Sequence, residues 1–130
     1  MKINKSLVGF TTALTIALSG YGVHAATTGS YSGNVPVIND LQSTSINKTS
    51  SNSTALNTVG SIQRGTLVSW VELSSNGTNL TPQVSYTTTG TKTMNFYVKG
   101  VTSRDKMKLN ISTSPTTLQS VDTSGTWTPN

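Results

Sequence analysis

The sequence contains no cysteine, a single histidine, four acidic residues and only one glutamate among its 130 residues. Each shortage removes a class of chemistry. Without cysteine there is no disulfide and no thiolate nucleophile, so the chain must hold its shape by packing and hydrogen bonds alone. The lone histidine, His24, lies in the leader described below, so the remainder has neither imidazole nor thiol. That excludes Ser-His-acid triads, Cys-His dyads and zinc-hydrolase motifs together. A glycosidase needs two carboxylates held across one bond, whereas Asp40, Glu72, Asp105 and Asp122 are scattered singly. Asn39 and Asp40 offer two side-chain oxygens without a calcium loop, and read as a turn or cap. A Ser-Lys nucleophile pair remains possible in principle because serine is abundant. No cofactor or metal is expected.

Long apolar runs are also scarce. The only one, Leu7 to Leu18, follows a short basic stretch with Lys2 and Lys5 and precedes the helix-breaking "SGYGVHA". Val23 and Ala25 occupy the −3 and −1 places of a small-residue cleavage site, so residues 1–25 read as a helical signal peptide cut between Ala25 and Ala26. About a dozen apolar residues fall short of the ~20 that span a bilayer. The product is therefore expected to be secreted, with no transmembrane anchor and no apolar C-terminal tail for wall sorting. A lysine-bearing leader and a disulfide-free body rich in Asn, Thr and Lys suit a Gram-positive bacterium.

What the chain has is hydroxyl. Residues 26–130 carry 17 serines and 21 threonines, with seven basic residues against four acidic ones. Threonine favours half-exposed strands, and so small a net charge argues against nucleic acid as a partner. Residues 26–34, "ATTGSYSGN", read as a flexible mature N-terminus, and residues 35–130 as a single domain. Pro36 confines its neighbourhood to a sheet edge. "TALNTVG" alternates through Ala55, Asn57 and Val59, with Gly60 a candidate bulge. "LVSWVEL" is apolar on both faces, with Leu67, Val71 and Leu73 on one and Val68 and Trp70 on the other. Asn76-Gly77 marks a tight turn. The final strand sets Val121, Thr123, Gly125 and Trp127 on one side.

Period-two alternation is clearest in Met94–Phe96–Val98 and Met107–Leu109–Ile111. Paired as a hairpin, these strands would oppose Val98 to Met107 and Phe96 to Leu109. About seven short strands with no helix beyond the leader predict a small two-sheet antiparallel β-sandwich; a small β-barrel is the alternative. The outer face of that hairpin would carry Tyr97, Lys99, Lys106 and Lys108, with Arg104 in its loop. Like charges directly opposite destabilise a strand pair, so this face is the candidate surface for an anionic cell-envelope polymer or lipid headgroup. Trp70 shares its face with Glu72, and is expected in the core with Glu72 emerging at the strand end; if exposed, it becomes a candidate aromatic platform.

"NKTSSNSTALNTV", "YVKG", "MKLNIS" and the closing "SGTWTPN" resemble a loosely defined family of short secreted proteins of unknown function from Gram-positive bacteria. Some of these accompany bacteriocin or peptide-export systems, and the family closes on a strand with glycine two residues before tryptophan, as Gly125 and Trp127 stand here. A more distant resemblance is to the small β-sandwich bacteriocins of the lactococcin type, also secreted and cysteine-free. The resemblance implies no catalytic residue. The function expected is a secreted, non-enzymatic, bacteriocin-associated binding protein at the bacterial cell surface. The alternatives are a self-associating structural or matrix protein and, less favoured, a carboxylate-dependent wall hydrolase.

Overall fold

Hydroxyl-rich segments with apolar residues at every second position have one stable solution, a sheet with one buried face, and two such sheets bury one another. A computed structural model describes residues 28–48, 52–97 and 105–129. The signal-peptide helix expected over residues 1–25 lies outside the described residues. Within them the architecture is a β-sandwich of nine strands and no helix. In chain order these are β1 (Gly29–Val35), β2 (Leu41–Gln42), β3 (Ile46–Asn47), β4 (Thr54–Ile62) and β5 (Leu67–Leu73). They continue with β6 (Val84–Tyr86), β7 (Gly90–Asn95), β8 (Lys106–Thr113) and β9 (Val121–Thr128). One sheet runs β1-β9-β4-β7; the other runs β2-β8-β5-β6, with β3 also pairing β8, and every pairing is antiparallel.

The inner faces follow the alternation. Tyr31, Val35, Ala55, Val59, Met94, Val121 and Trp127 come from the first sheet, and Leu67, Val71, Tyr86, Met107, Leu109 and Ile111 from the second. The bulge falls at Gly60, where the β4–β9 register shifts between Val59 and Ser61. The Asn76-Gly77 turn closes with the Gly77 amide on the Leu73 carbonyl at 2.9 Å and Gly77 at φ +72°. Two glycines are required by packing. A methyl at Gly125 would run into the Thr58 carbonyl and the Tyr31 hydroxyl, and one at Gly29 would lie 2.8 Å from the Trp127 indole nitrogen.

Two expectations change. Gly29–Val35 forms a full edge strand on β9, where composition suggested a flexible segment, because all seven of its residues are in register with Val121–Trp127 and the backbone groups on that side join one antiparallel ladder. The Met94–Ile111 hairpin does not form: β7 pairs with β4 in one sheet, and β8 pairs with β5 in the other. Period-two alternation tells which face of a strand is buried, not which strand lies beside it. Met94 and Phe96 therefore meet Met107, Leu109 and Ile111 in the shared core, not along one ladder.

Candidate functional site

The core itself is polar at its centre. Asn57, fully buried on β4, accepts a 2.8 Å hydrogen bond from the Tyr31 hydroxyl and reaches Ser69 on β5 at 3.3 Å. Ser69 in turn donates to the Met94 sulfur at 3.7 Å. This chain of contacts ties the two sheets together. Burial raises the Tyr31 pKa above the usual phenol range, helped by the nearby Tyr86. Burial also pushes Tyr86 up to about 12, with Asn57 and Ser69 near enough to offset part of the rise. The Tyr86 hydroxyl nonetheless makes no direct hydrogen bond. Cooperation between buried phenols and amides of this kind is structural, since no part of it opens to solvent.

Trp70 keeps the face that its spacing predicts, and that face is the outer one. It stands on the outer face of the β2-β8-β5-β6 sheet with Val68 and Glu72, yet only 6% of its surface is exposed. Its indole N–H donates to Glu72 Oε1 at 2.9 Å. Glu72 Oε2 lies 3.7 Å from Lys108 Nζ, and Lys108 also donates to Gln42 at 3.2 Å. Directly opposite Trp70 is Asn110, fully buried, with neither its amide nitrogen nor its oxygen partnered. Asn110-Ile111-Ser112 is an N-x-S glycosylation sequon, and with Asn110 fully buried it is inaccessible in the folded chain. Trp70 is buried as expected and Glu72 partly exposed, but Trp70 stands apart from the cluster between the sheets and Glu72 is its hydrogen-bond acceptor.

Of the expected cationic surface, Tyr97, Lys106 and Lys108 fall within the described residues. Tyr97 is 64% exposed and its amide bonds to the Leu80 carbonyl, not to a strand bearing Lys108. Lys106 is exposed on β8 opposite Asn47. Lys108 is engaged by Glu72 and Gln42, as above. Lys99, Arg104 and the expected cleavage residues Ala25 and Ala26 lie outside the described residues.

A cation that the alternation did not reveal is Lys48. It is almost wholly out of solvent, donates to the Asn52 carbonyl at 2.5 Å and sits 4.8 Å from the Phe96 ring centre. Desolvation lowers its pKa, and the aromatic face compensates part of that loss. Ser45 precedes Lys48 by three residues, a spacing that on a helix would bring hydroxyl and amine together. Here β3 is extended: Ser45 pairs with Ser74 at 2.8 Å while Lys48 turns to Asn52.

A further polar feature lies on the opposite sheet. The outer face of β1-β9-β4-β7 presents Ser30, Ser32, Ser124, Thr126, Thr58, Ser61, Thr91 and Thr93, and its strands carry no cation there. Hydroxyls pair across strands, Thr58 with Thr91 at 3.1 Å and Ser61 with Ser124 at 2.7 Å. At one end the Gly60 bulge re-aims Ser61. There a groove of about 280 Å³ opens among Ser32, Asn34, Ser61, Asp122 and Ser124. Asn34 Nδ2 donates to Asp122 Oδ1 at 2.8 Å, which orients both side chains along its wall. Glu72 and Asp122 therefore lie on outer faces of opposite sheets and cannot flank one substrate bond. Among the described residues no three Asp or Glu side chains gather to hold a metal, and no helix is long and apolar enough to cross a membrane. Sequence reasoning missed the groove because its residues come from three strands; the exposed positions of "SYSGN" and "VDTSG" were the available signal. No known family, no curated protein and no solved structure matches the chain.

Proposed function

We propose that this chain is an exported, non-enzymatic binding protein that acts at the bacterial cell surface, and that it binds a neutral, hydroxyl-rich glycan. The observation that carries this reading is the groove on the four-stranded sheet. Hydroxyls from Ser32, Ser61 and Ser124 stand beside an amide and a single carboxylate that are already oriented by their own hydrogen bond. Such a set offers donors and acceptors to vicinal hydroxyl and acetamido groups and puts no positive charge beside them. A phosphate-rich polymer would instead need cations, and of the described lysines expected to supply them Lys108 is paired with Glu72. The absence of histidine and cysteine beyond the leader, and the separation of Glu72 from Asp122, favour binding over hydrolysis.

Cosedimentation with purified, insoluble cell-wall glycan tests the reading. The protein should pellet with glycan, and the Asn34→Ala/Asp122→Ala variant should stay in the supernatant while keeping its circular dichroism. Equal retention of that variant would overturn the assignment of the groove. Release of reducing sugar by the purified protein would overturn the non-enzymatic reading.

A further inference from the structure

A two-sheet sandwich has four edges, and each unprotected edge is a template for another strand. Three of the four are guarded here. The β7 edge carries Lys92, which stands opposite Asn57 on the inward side and so places a charge at the border of the core. The β6 edge is only three residues long. On the far side of β8, β2 and β3 are two-residue strands interrupted by residues 43–45. Short edges, prolines and inward-pointing charges are the usual devices against strand addition.

β1 has none of them. Gly29–Val35 runs seven residues without charge, proline or register shift, and among the described residues it pairs with β9 alone. Immediately after it come two of the few exposed large apolar side chains, Val37 at 45% and Ile38 at 92% exposure. We infer that the free edge of β1 is a dimerisation surface that pairs, antiparallel, with β1 of a second copy of this chain. Full overlap places Ser32 on the twofold axis and opposes Ser30 to Asn34, Tyr31 to Gly33 and Gly29 to Val35. No like charges meet, the small Gly33 faces the bulky Tyr31, and Ser30 can hydrogen-bond Asn34. The same operation on β7 would instead bring together two copies of Lys92. An interface that uses the same strand on both copies closes after two subunits and does not propagate into a fibre.

Ser32 and Asn34 also line the groove, so the dimer would bring two grooves together across the axis for bivalent attachment. That consequence rests on the glycan reading, whereas the dimer does not.

The chain lacks cysteine, so a single introduced thiol reports pairing cleanly. Directly opposed residues in an antiparallel pair lie about 4.5–5.5 Å apart at Cα, within disulfide reach. Under mild oxidation Ser32→Cys should cross-link into a covalent dimer, while Thr93→Cys, on the outer face of the guarded β7 edge, should stay monomeric. Sedimentation without glycan should show the parent protein as a dimer, and Ser32→Lys should weaken it by roughly tenfold or more in Kd. Unchanged circular dichroism in Ser32→Lys would show that the fold survives. A parent protein that sediments as a monomer at every concentration, equal cross-linking of the two cysteine variants, or a dimer indifferent to Ser32→Lys would each overturn the inference. None of these results bears on whether a monomer binds glycan.

Discussion

Tyr31 and Tyr86 lie in one core, carry the same group and should answer the same substitution with opposite signs. Tyr31 donates to Asn57 at 2.8 Å, and Asn57 has no solvent to turn to. Tyr31→Phe therefore leaves a buried amide oxygen without its donor, at a cost of about 1–3 kcal/mol. Tyr86 is equally buried, but its hydroxyl makes no direct hydrogen bond. Tyr86→Phe removes a desolvated group without orphaning a partner, so it should be neutral or stabilising by up to about 1 kcal/mol. The two variants should thus differ by about 1–4 kcal/mol, centred on about 2–3 kcal/mol. In a domain near 100 residues 1 kcal/mol moves Tm by roughly 4–8 °C, so the melting points should separate by roughly 10–20 °C. Urea unfolding followed by tryptophan fluorescence, with the m-value checked for constancy, measures the difference directly. If both variants lose stability within about 0.5 kcal/mol of one another, the hydrogen-bond accounting of this core is wrong.

The same pair sets the alkaline limit. Both phenols have folded pKa values above the unfolded value of 10.0, so their contribution is complete below pH 10 and is lost as pH rises through about 12. For Tyr86 alone that amounts to about 2–3 kcal/mol, and phenolate absorbance should appear cooperatively with unfolding; free titration of all tyrosines near pH 10 in a folded protein would contradict it. Lys48 acts in the other direction, since its folded pKa is lowered and its desolvation penalty fades as pH approaches 10.5. Asn110→Leu should stabilise by about 1–2 kcal/mol, because it removes two unpartnered buried polar atoms; a loss of stability in urea would show that the amide is satisfied in solution. Gly125→Ala should cost more than about 3 kcal/mol, since its methyl meets backbone at Thr58, whereas Gly77→Ala should cost only about 1 kcal/mol for its positive φ in open space. Similar melting points for the two would refute that ordering.

The faces of the strands were legible in the sequence and their neighbours were not. Ala55, Asn57 and Val59 point inward as their spacing requires, and Gly60 forms its bulge. Leu67 and Val71 separate from Val68 and Trp70 as the two-faced pattern demands. Pairing is a different kind of fact. An inward apolar set is compatible with any partner strand that shares the core, so Met94–Phe96 and Met107–Ile111 looked like one hairpin while belonging to opposite sheets. β1 escaped notice because five of its seven residues are glycine, serine or asparagine. Its strand conformation comes from the ladder on β9, not from its own propensity. The groove escaped for a related reason: Asn34, Ser61 and Asp122 converge only after β1, β4 and β9 have been ordered side by side.

The distribution of charge between the two outer faces is what folding does not explain. Burial dictates the inner residues, and strand propensity accounts for threonine on any exposed sheet. Neither requires that Lys106, Lys108 and Glu72 share one outer face while the outward positions of the other sheet's strands carry Asp122 as their single charge, Lys92 on β7 standing on the inward side. Scattered lysines would serve solubility equally well on both faces. The five-stranded sheet uses its charges locally, with Glu72 holding both Trp70 and Lys108. The four-stranded sheet keeps a neutral hydroxyl field that ends in an oriented Asn34–Asp122 pair and borders the one unguarded edge. A face so cleared of cations is suited to a hydroxylated partner and unsuited to a phosphorylated one. On the proposed reading, the groove and the β1 edge, which share Ser32 and Asn34, are the side of the molecule that makes contact.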